Sequence, residues 1–369
     1  KSSQVRVFLV SMASDSVVEA WGPEAFAKRL RARLKSAQVQ LPPELERSDS
    51  SELPRGFNVL LLGPTGAGKS SLVYTWWRAL AGTQAREDRA SFLKNFAHHS
   101  LLRRLQLGWT AESEDAGRSD QLSAAPRHGT TALTAFELQA ASDACGHIQI
   151  HDTKGQQFFT EEEESFANDM LEGKVLPGST PDAVHWRYWI SIGQFGLFVT
   201  TNLASAPHAL VLVFDSTLKS FQTVLADAKA GEADDNELAA CYRKVVSRAR
   251  AEGQPVFAVL SHVDQLQVRG TPAEGEDVDE LEELLIGSRD EVLERFKELL
   301  SAALKDEDAA VPVHQIYCVE NYRMDRFEQD AEIDFRALEA LDAAVGGANT
   351  YIAKRAVDVN AGRGLCTVS

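Results

Sequence analysis

Gly63-Pro64-Thr65-Gly66-Ala67-Gly68-Lys69-Ser70 has the residue types and spacing to hold a chain of phosphates. It satisfies G-x-x-x-x-G-K-[ST], with an apolar run before it and a helix-forming run after it. The glycines let the backbone curl so that successive N–H groups converge on a small space. The following helix adds its positive N-terminal end. Lys69 brings a point charge to the β- and γ-phosphates, Ser70 brings a hydroxyl to Mg²⁺, and Ser71 reaches toward the α-phosphate. Gly63, Thr65, Gly66, Ala67, Gly68, Lys69, Ser70 and Ser71 are therefore the expected phosphate-binding residues. This motif alone leaves ATP and GTP open, and also hydrolysis, phosphoryl transfer and simple binding.

Other residues narrow the choice. Asp152-Thr153-Lys154-Gly155 follows the apolar run Ile148 to Ile150. An aspartate at the carboxyl end of a buried strand sits where ligands bind in an open α/β sheet. Asp152 is thus placed to hold Mg²⁺, and Gly155 to bring its N–H to the γ-phosphate. Gln156 comes next and can orient an attacking water, so Gln156 and Lys69 are the expected catalytic residues. Gly129-Thr130-Thr131 precedes a strand-like run, and Thr131, preferred slightly over Thr130, is the expected third metal ligand beside Ser70 and Asp152. Ser261-His262-Val263-Asp264 follows another apolar run. The carboxylate of Asp264 can accept from the N1–H and N2–H₂ edge of guanine, a donor pair that adenine lacks. Glu320 and Asn321, in Cys318-Val319-Glu320-Asn321-Tyr322, are expected to pack on the base.

Positioning these residues requires an α/β sheet. Phe57 to Leu62, Gly146 to His151, Ala209 to Phe214, Pro255 to Leu260 and Val313 to Val319 are nearly continuous apolar runs. Such runs suit strands buried on both faces of a parallel sheet. Helices are expected over Ser70 to Leu80, Asn236 to Arg250 and Ser288 to Leu304. Ser288 with Glu291 makes a capping-box pattern at the start of the last. Before the first strand, Val5 to Leu9 alternates like a short strand. Pro23 then opens a helix with Phe26, Leu30 and Leu34 on one face and Lys28, Arg29, Arg31, Arg33 and Lys35 on the other. Leu41 to Ser51 reads as a linker. Residues 82–129, 157–207 and 265–287 exceed a minimal unit; the first two are long enough to hold structure of their own.

The chain has 369 residues with 38 Lys plus Arg and 54 Asp plus Glu, a net charge of −16. That charge excludes a general nucleic-acid binder, which needs a basic surface for counterion release. Hydrophobic residues make up 44%, enough to offset chain entropy, so wholesale disorder is excluded too. Cys145, Cys241, Cys318 and Cys366 have no metal-ligand spacing and read as reduced thiols of a cytoplasmic protein. No apolar run has the length of a membrane span. The sequence begins at Lys1 with neither Met nor a signal-peptide pattern, as expected of a processed or partial chain. Cys366-Thr367-Val368-Ser369 fits the prenylation pattern only loosely, because Thr367 is not aliphatic; a lipid at Cys366 is not the expected reading.

The order of these motifs resembles the Ras-like P-loop GTPase domain. Within that class the chain is similar to the interferon-induced protein 44 family. The similarity is carried by Leu60 to Ser71, by Met170-Leu171-Glu172-Gly173-Lys174-Val175 and by Leu260-Ser261-His262-Val263-Asp264. It implies a GTPase domain over residues 54–345, with a strand–helix segment and linker at 1–53 and a tail at 346–369. It also implies a mostly parallel sheet with helices on both faces, GTP or GDP with Mg²⁺, and base contacts from His262 as well as Asp264. Two departures stand out. Ras-like enzymes usually carry Asn or Thr and then Lys where this chain has Ser261 and His262, and Gln156 is more Ras-like than the apolar residue of the interferon-induced family.

The expected function is a guanine-nucleotide switch or assembly factor with slow, Mg²⁺-dependent GTP hydrolysis and protein partners at the two long insertions. The alternatives are a non-enzymatic scaffold subunit, cytoskeletal or ciliary in setting, and a P-loop ATPase or kinase.

Overall fold

Apolar strands that are buried on both sides need a layer of helices on each, and the computed structural model has that arrangement. It describes residues 22–41, 53–82, 133–138, 148–153, 161–175, 203, 204, 206–270, 278–306, 309–323 and 328–366. The expected Val5–Leu9 strand, most of the linker, residues 83–129, and Thr130, Thr131, Gly155 and Gln156 lie outside the described residues, as does most of 176–207.

The sheet comprises β1 (Phe57–Leu62), β2 (Thr134–Glu137), β3 (Ile148–Asp152), β4 (Ala209–Asp215), β5 (Val256–Ser261) and β6 (Ile316–Cys318). Its order is β2-β3-β1-β4-β5-β6. All neighbours are parallel except β2 and β3, which pair antiparallel with Thr134 opposite Asp152. The last strand is shorter than the run Val313 to Val319 suggests. Pro312 has no N–H to give a ladder, and Val313–Gln315 instead forms a 3₁₀ turn.

Side chains alternate across the strands, so each strand feeds two cores. Val59 and Leu61 of β1, Val211 and Val213 of β4 and Val259 of β5 face one layer. That layer holds α1 (Pro23–Lys35), α2 (Lys69–Ala81) and α8 (Ala331–Cys366). Leu60, Leu62, Leu212 and Leu260 face the other. There lie α3 (Glu161–Leu171), α4 (Lys219–Ala230), α5 (Glu237–Ala251), α6 (Glu280–Leu284) and α7 (Arg289–Ala303). The capping box of α7 forms as its sequence predicts, with Ser288 accepting from Glu291 N–H and Glu291 from Ser288 N–H.

Two divisions read from the sequence differ in the structure. The division expected at residues 345 and 346 falls inside α8, a single helix of 36 residues. Leu338, Leu341, Ala348 and Ile352, on both sides of that point, are buried on the sheet. Fully burying one such side chain stabilises by about 1.5–3 kcal/mol. Gly347 permits the close approach, since a Cβ there would stand 2.9 Å from Phe257 Cζ. The N-terminal helix α1 is likewise part of the main core through Ala27 and Leu34. Its basic face is not simply solvated. Arg31 donates to Ala79 O at 2.6 Å and pairs with Asp334 at 2.8 Å, and Arg33 pairs with Asp342. The stripe of apolar residues was visible in the sequence; the acidic partners on α8 lie some 300 residues away.

Two buried histidines sit beside β1. His208 Nδ1 accepts from Asn58 N–H at 2.9 Å, so its proton is on Nε2, which donates to Leu203 O at 2.7 Å. Burial lowers the His208 pKa to about 4, against the opposing pull of the Leu203 carbonyl. Burial, and next the proximity of His208, also lower His151 to about 4. An unfolded histidine titrates near about 6.5, so between these values the unfolded chain binds more protons. Stability is therefore expected to fall as pH drops from about 6.5 toward 4. Urea unfolding across that range checks this, and His208→Asn, which keeps an acceptor for Asn58 N–H but cannot titrate, should flatten the slope.

Candidate nucleotide-binding site

The glycine-rich loop joins β1 to α2, where sequence reasoning places it. Its path is set by close approach. A Cβ on Gly63 would meet Val213 O of β4 at 2.1 Å, so only a hydrogen fits. Gly68 takes the left-handed conformation, φ 81°, and caps α2. Leu72 N–H donates to Gly68 O at 2.8 Å and closes the first turn of α2. The N–H groups ahead of it belong to the set that a helix start leaves without intrahelical acceptors. Thr65 is half-buried, and Gly66 at the tip of the loop is exposed.

Lys69 is only 6% exposed, and its ammonium donates to Gly63 O and Pro64 O, each at 2.9 Å. Burial lowers its pKa to about 8, with the Asp152 charge acting in the opposite direction. A cation held under a loop of amides is arranged to meet an anion. Next to it, Ser70 Oγ donates to Asp152 Oδ2 at 2.5 Å, so the hydroxyl and carboxylate expected to share a metal are brought together. Thr153 Oγ1 donates to Leu61 O at 2.8 Å and pins the end of β3 to β1. Ser71 O accepts from Thr75 Oγ1 at 2.8 Å; the same hydroxyl oxygen accepts from Tyr322 N–H at 2.9 Å and lies 3.3 Å from Asn321 Oδ1.

The ends of β5 and β6 close on the other side of the loop. Ser261 Oγ donates to Ala67 O at 2.7 Å. The Cβ position of Gly68 lies 2.9 Å from Asn321 Nδ2 and 3.0 Å from His262 Cε1. Asn321 Nδ2 is buried without a hydrogen-bond partner among the described residues. Asp264 is half-buried in the 3₁₀ turn Val263–Gln265, and Arg289 binds its carbonyl at 3.2 Å. Glu320 is half-buried beside Asn321. The structure thus brings Gly63 to Ser71, Asp152, His262 and Asn321 around one loop, with Asp264 and Glu320 in the adjoining turns. Thr131, Gly155 and Gln156 are outside the described residues.

Sequence reasoning missed Asp215. It ends β4 opposite Ser261 of β5, and its Oδ2 lies 3.2 Å from His262 Nδ1. Its Oδ1 accepts from Thr217 N–H at 2.8 Å and Thr217 Oγ1 at 2.6 Å. Burial pushes the Asp215 pKa up, but the hydrogen bonds from His262 and Thr217 outweigh it and hold the carboxyl below its usual range. The available signal was an aspartate closing an apolar run, the same signal that marked Asp152.

No protein-family model and no curated protein matches this chain. The site itself is the argument for what it holds. Among the described residues no group of three or more His, Cys, Asp or Glu can hold a metal ion. Ser70 and Asp152 instead form a sparse oxygen set, which suits Mg²⁺ bound partly through water and phosphate. Amide donors, a buried ammonium and hard oxygen ligands together fit a polyphosphate with its divalent cation.

The loop geometry makes a direct comparison possible. Gly63→Ala forces a Cβ against the β4 backbone and is expected to destabilise by about 1–3 kcal/mol, as overpacking does. Gly66→Ala meets no atom within 4 Å and carries only the cost of its left-handed backbone, φ 85°, roughly 1–2 kcal/mol. Urea titration of the two variants should rank Gly63→Ala as the more damaging.

Proposed function

We propose that the chain is a guanine-nucleotide-binding protein with slow Mg²⁺-dependent GTPase activity, acting as a switch or assembly factor. The observation that carries this reading is the buried Lys69 ammonium across the glycine loop, with the Ser70–Asp152 pair beside it at the carboxyl edge of a parallel sheet. Five parallel strands with one antiparallel edge strand, and a phosphate loop after the central β1, favour the Ras-like form of the fold.

In this reading Lys69 exchanges the Gly63 and Pro64 carbonyls for phosphate oxygens, while the loop amides and the start of α2 bind the remaining charge. Ser70, Asp152 and Thr131 would hold Mg²⁺, which when bound neutralises charge on the β- and γ-phosphates. Gln156 orients water and Gly155 senses the γ-phosphate. Asp264 selects guanine, flanked by His262, Glu320 and Asn321. Residues 82–129 and 157–207 are the proposed surfaces for protein partners, in a cytoplasmic setting. Among the described residues no helix is long and apolar enough to cross a membrane.

Lys69→Ala is expected to weaken GDP and GTP binding about 30-fold or more, since truncating one partner of a buried charge pair costs about 2–5 kcal/mol. Asp264→Asn should shift preference from guanine toward xanthine nucleotides, because the amide presents a donor where the carboxylate accepted one. Calorimetry with GDP, XDP and ADP checks both, and unchanged GDP binding in the two variants rejects the site. A single-turnover assay addresses hydrolysis. GTP left intact after hours would make the chain a nucleotide-holding scaffold subunit instead.

A further inference from the structure

His262 is the one non-glycine residue with positive φ among the described residues, at φ 55°. The left-handed backbone is unfavourable for a residue that carries a Cβ. It comes with a ring turned back onto the phosphate loop, Cε1 lying 3.0 Å from the Cβ position of Gly68. The ring's hydrogen bonds are all at one nitrogen. Ser261 has a single hydroxyl proton, directed at Ala67 O, so at 3.0 Å from His262 it accepts rather than donates. Nδ1 therefore carries a proton, shared between Ser261 Oγ and the Asp215 carboxylate at 3.2 Å. Nε2 has no hydrogen-bond partner among the described residues. It is bonded to Cε1, the ring atom that approaches the loop. With Nδ1 already protonated, a second proton at Nε2 makes the ring a cation and turns that nitrogen from acceptor to donor.

The charged groups around the ring are Asp215 from β4 and Asp264 from its own turn, with Lys69 next in the chain to Gly68. Two carboxylates favour the cationic ring. The hydrogen bond from Asp215 raises the His262 pKa above its usual value, against burial, and the charges of Asp215 and Asp264 add to the rise.

Resting on the nucleotide reading above, we propose that His262 is a proton-linked binding cation of this site, protonated on binding a nucleoside di- or triphosphate, and that Asp215 is its positioning residue. A lysine here would carry charge at any physiological pH. The histidine carries it only when a proton is taken up from solvent, so affinity for the polyanion falls as pH rises through the His262 pKa.

The test is Mg²⁺ with a fluorescent GDP analogue, titrated from about pH 5.5 to 8.5, the range that spans a histidine. The wild-type chain is compared with His262→Asn, His262→Lys and Asp215→Asn. Asparagine tolerates the left-handed backbone, so His262→Asn removes the titration without forcing the turn open. Wild-type affinity should fall by up to roughly tenfold per pH unit above the His262 pKa. His262→Lys should lose that component, and His262→Asn should lose it too while binding more weakly than the wild-type chain at the acid end. The GDP phosphate and Lys69 titrate in every variant, so the difference between profiles belongs to residue 262. In the ligand-free protein, Asp215→Asn should move the His262 NMR titration to lower pH. A wild-type slope no steeper than that of His262→Asn, or a His262 titration indifferent to Asp215→Asn, overturns the proposal while leaving nucleotide binding in place. Failure of the wild-type chain to bind GDP at any pH removes the nucleotide reading and this proposal together.

Discussion

A buried ammonium ion dominates the design of this molecule. Placing a lysine out of water is costly unless its protons find acceptors. Lys69 finds them in two carbonyls of the loop that precedes it, and has a carboxylate within electrostatic reach at the end of the neighbouring strand. That arrangement dictates much else. The loop must curl tightly enough to turn two carbonyls inward, so Gly63 must press against β4. β3 must end level with β1 so that Asp152 arrives, and Thr153 fixes that level by bonding Leu61 O. The ends of β5 and β6 then wall the loop on its far side.

The two cores serve this edge in different ways. On one face, α3, α4, α5, α6 and α7 pack over the strands with ordinary amphipathic patterns. On the other, α2 is held between α1 and α8 by a polar chain as well as by apolar contact. Thr75 of α2 meets Asn321 and Tyr322, the Tyr322 hydroxyl donates to Asp334 at 2.8 Å, and Asp334 pairs with Arg31. Arg78 lies over the Tyr322 ring at 3.8 Å. Burial pushes the Asp334 carboxyl up, and Tyr322, Arg31 and Arg78 oppose it. Polar groups buried in this way must be satisfied together, which fixes how α2 sits.

The central strands were legible because continuous apolar runs of this length, alternating with helical stretches, have few other fates. β1 came out at its expected bounds and β3, β4 and β5 nearly so, while β6 kept only Ile316–Cys318 of its expected run. The glycine-rich loop was legible because its constraints are local, a glycine or a lysine at each point where one is needed. What was not legible depends on distance along the chain. Nothing near Arg31 announces Asp334, and nothing near His262 announces Asp215, because the sheet brings those pairs together only after folding. The long helix α8 was masked by its alanines and glycines, which lack a strong stripe yet suit a tight fit against the sheet.

The late position of α8 in the chain has a consequence for biosynthesis. Helices α3 to α7 all precede it, so during translation the sheet layer that they cover can close while the nascent chain is still attached. Val59, Val211 and Val213 gain their α8 neighbours only when that helix clears the exit tunnel. Until then one side of the central strands lacks part of its cover, and this is the interval in which a chaperone has a surface to hold.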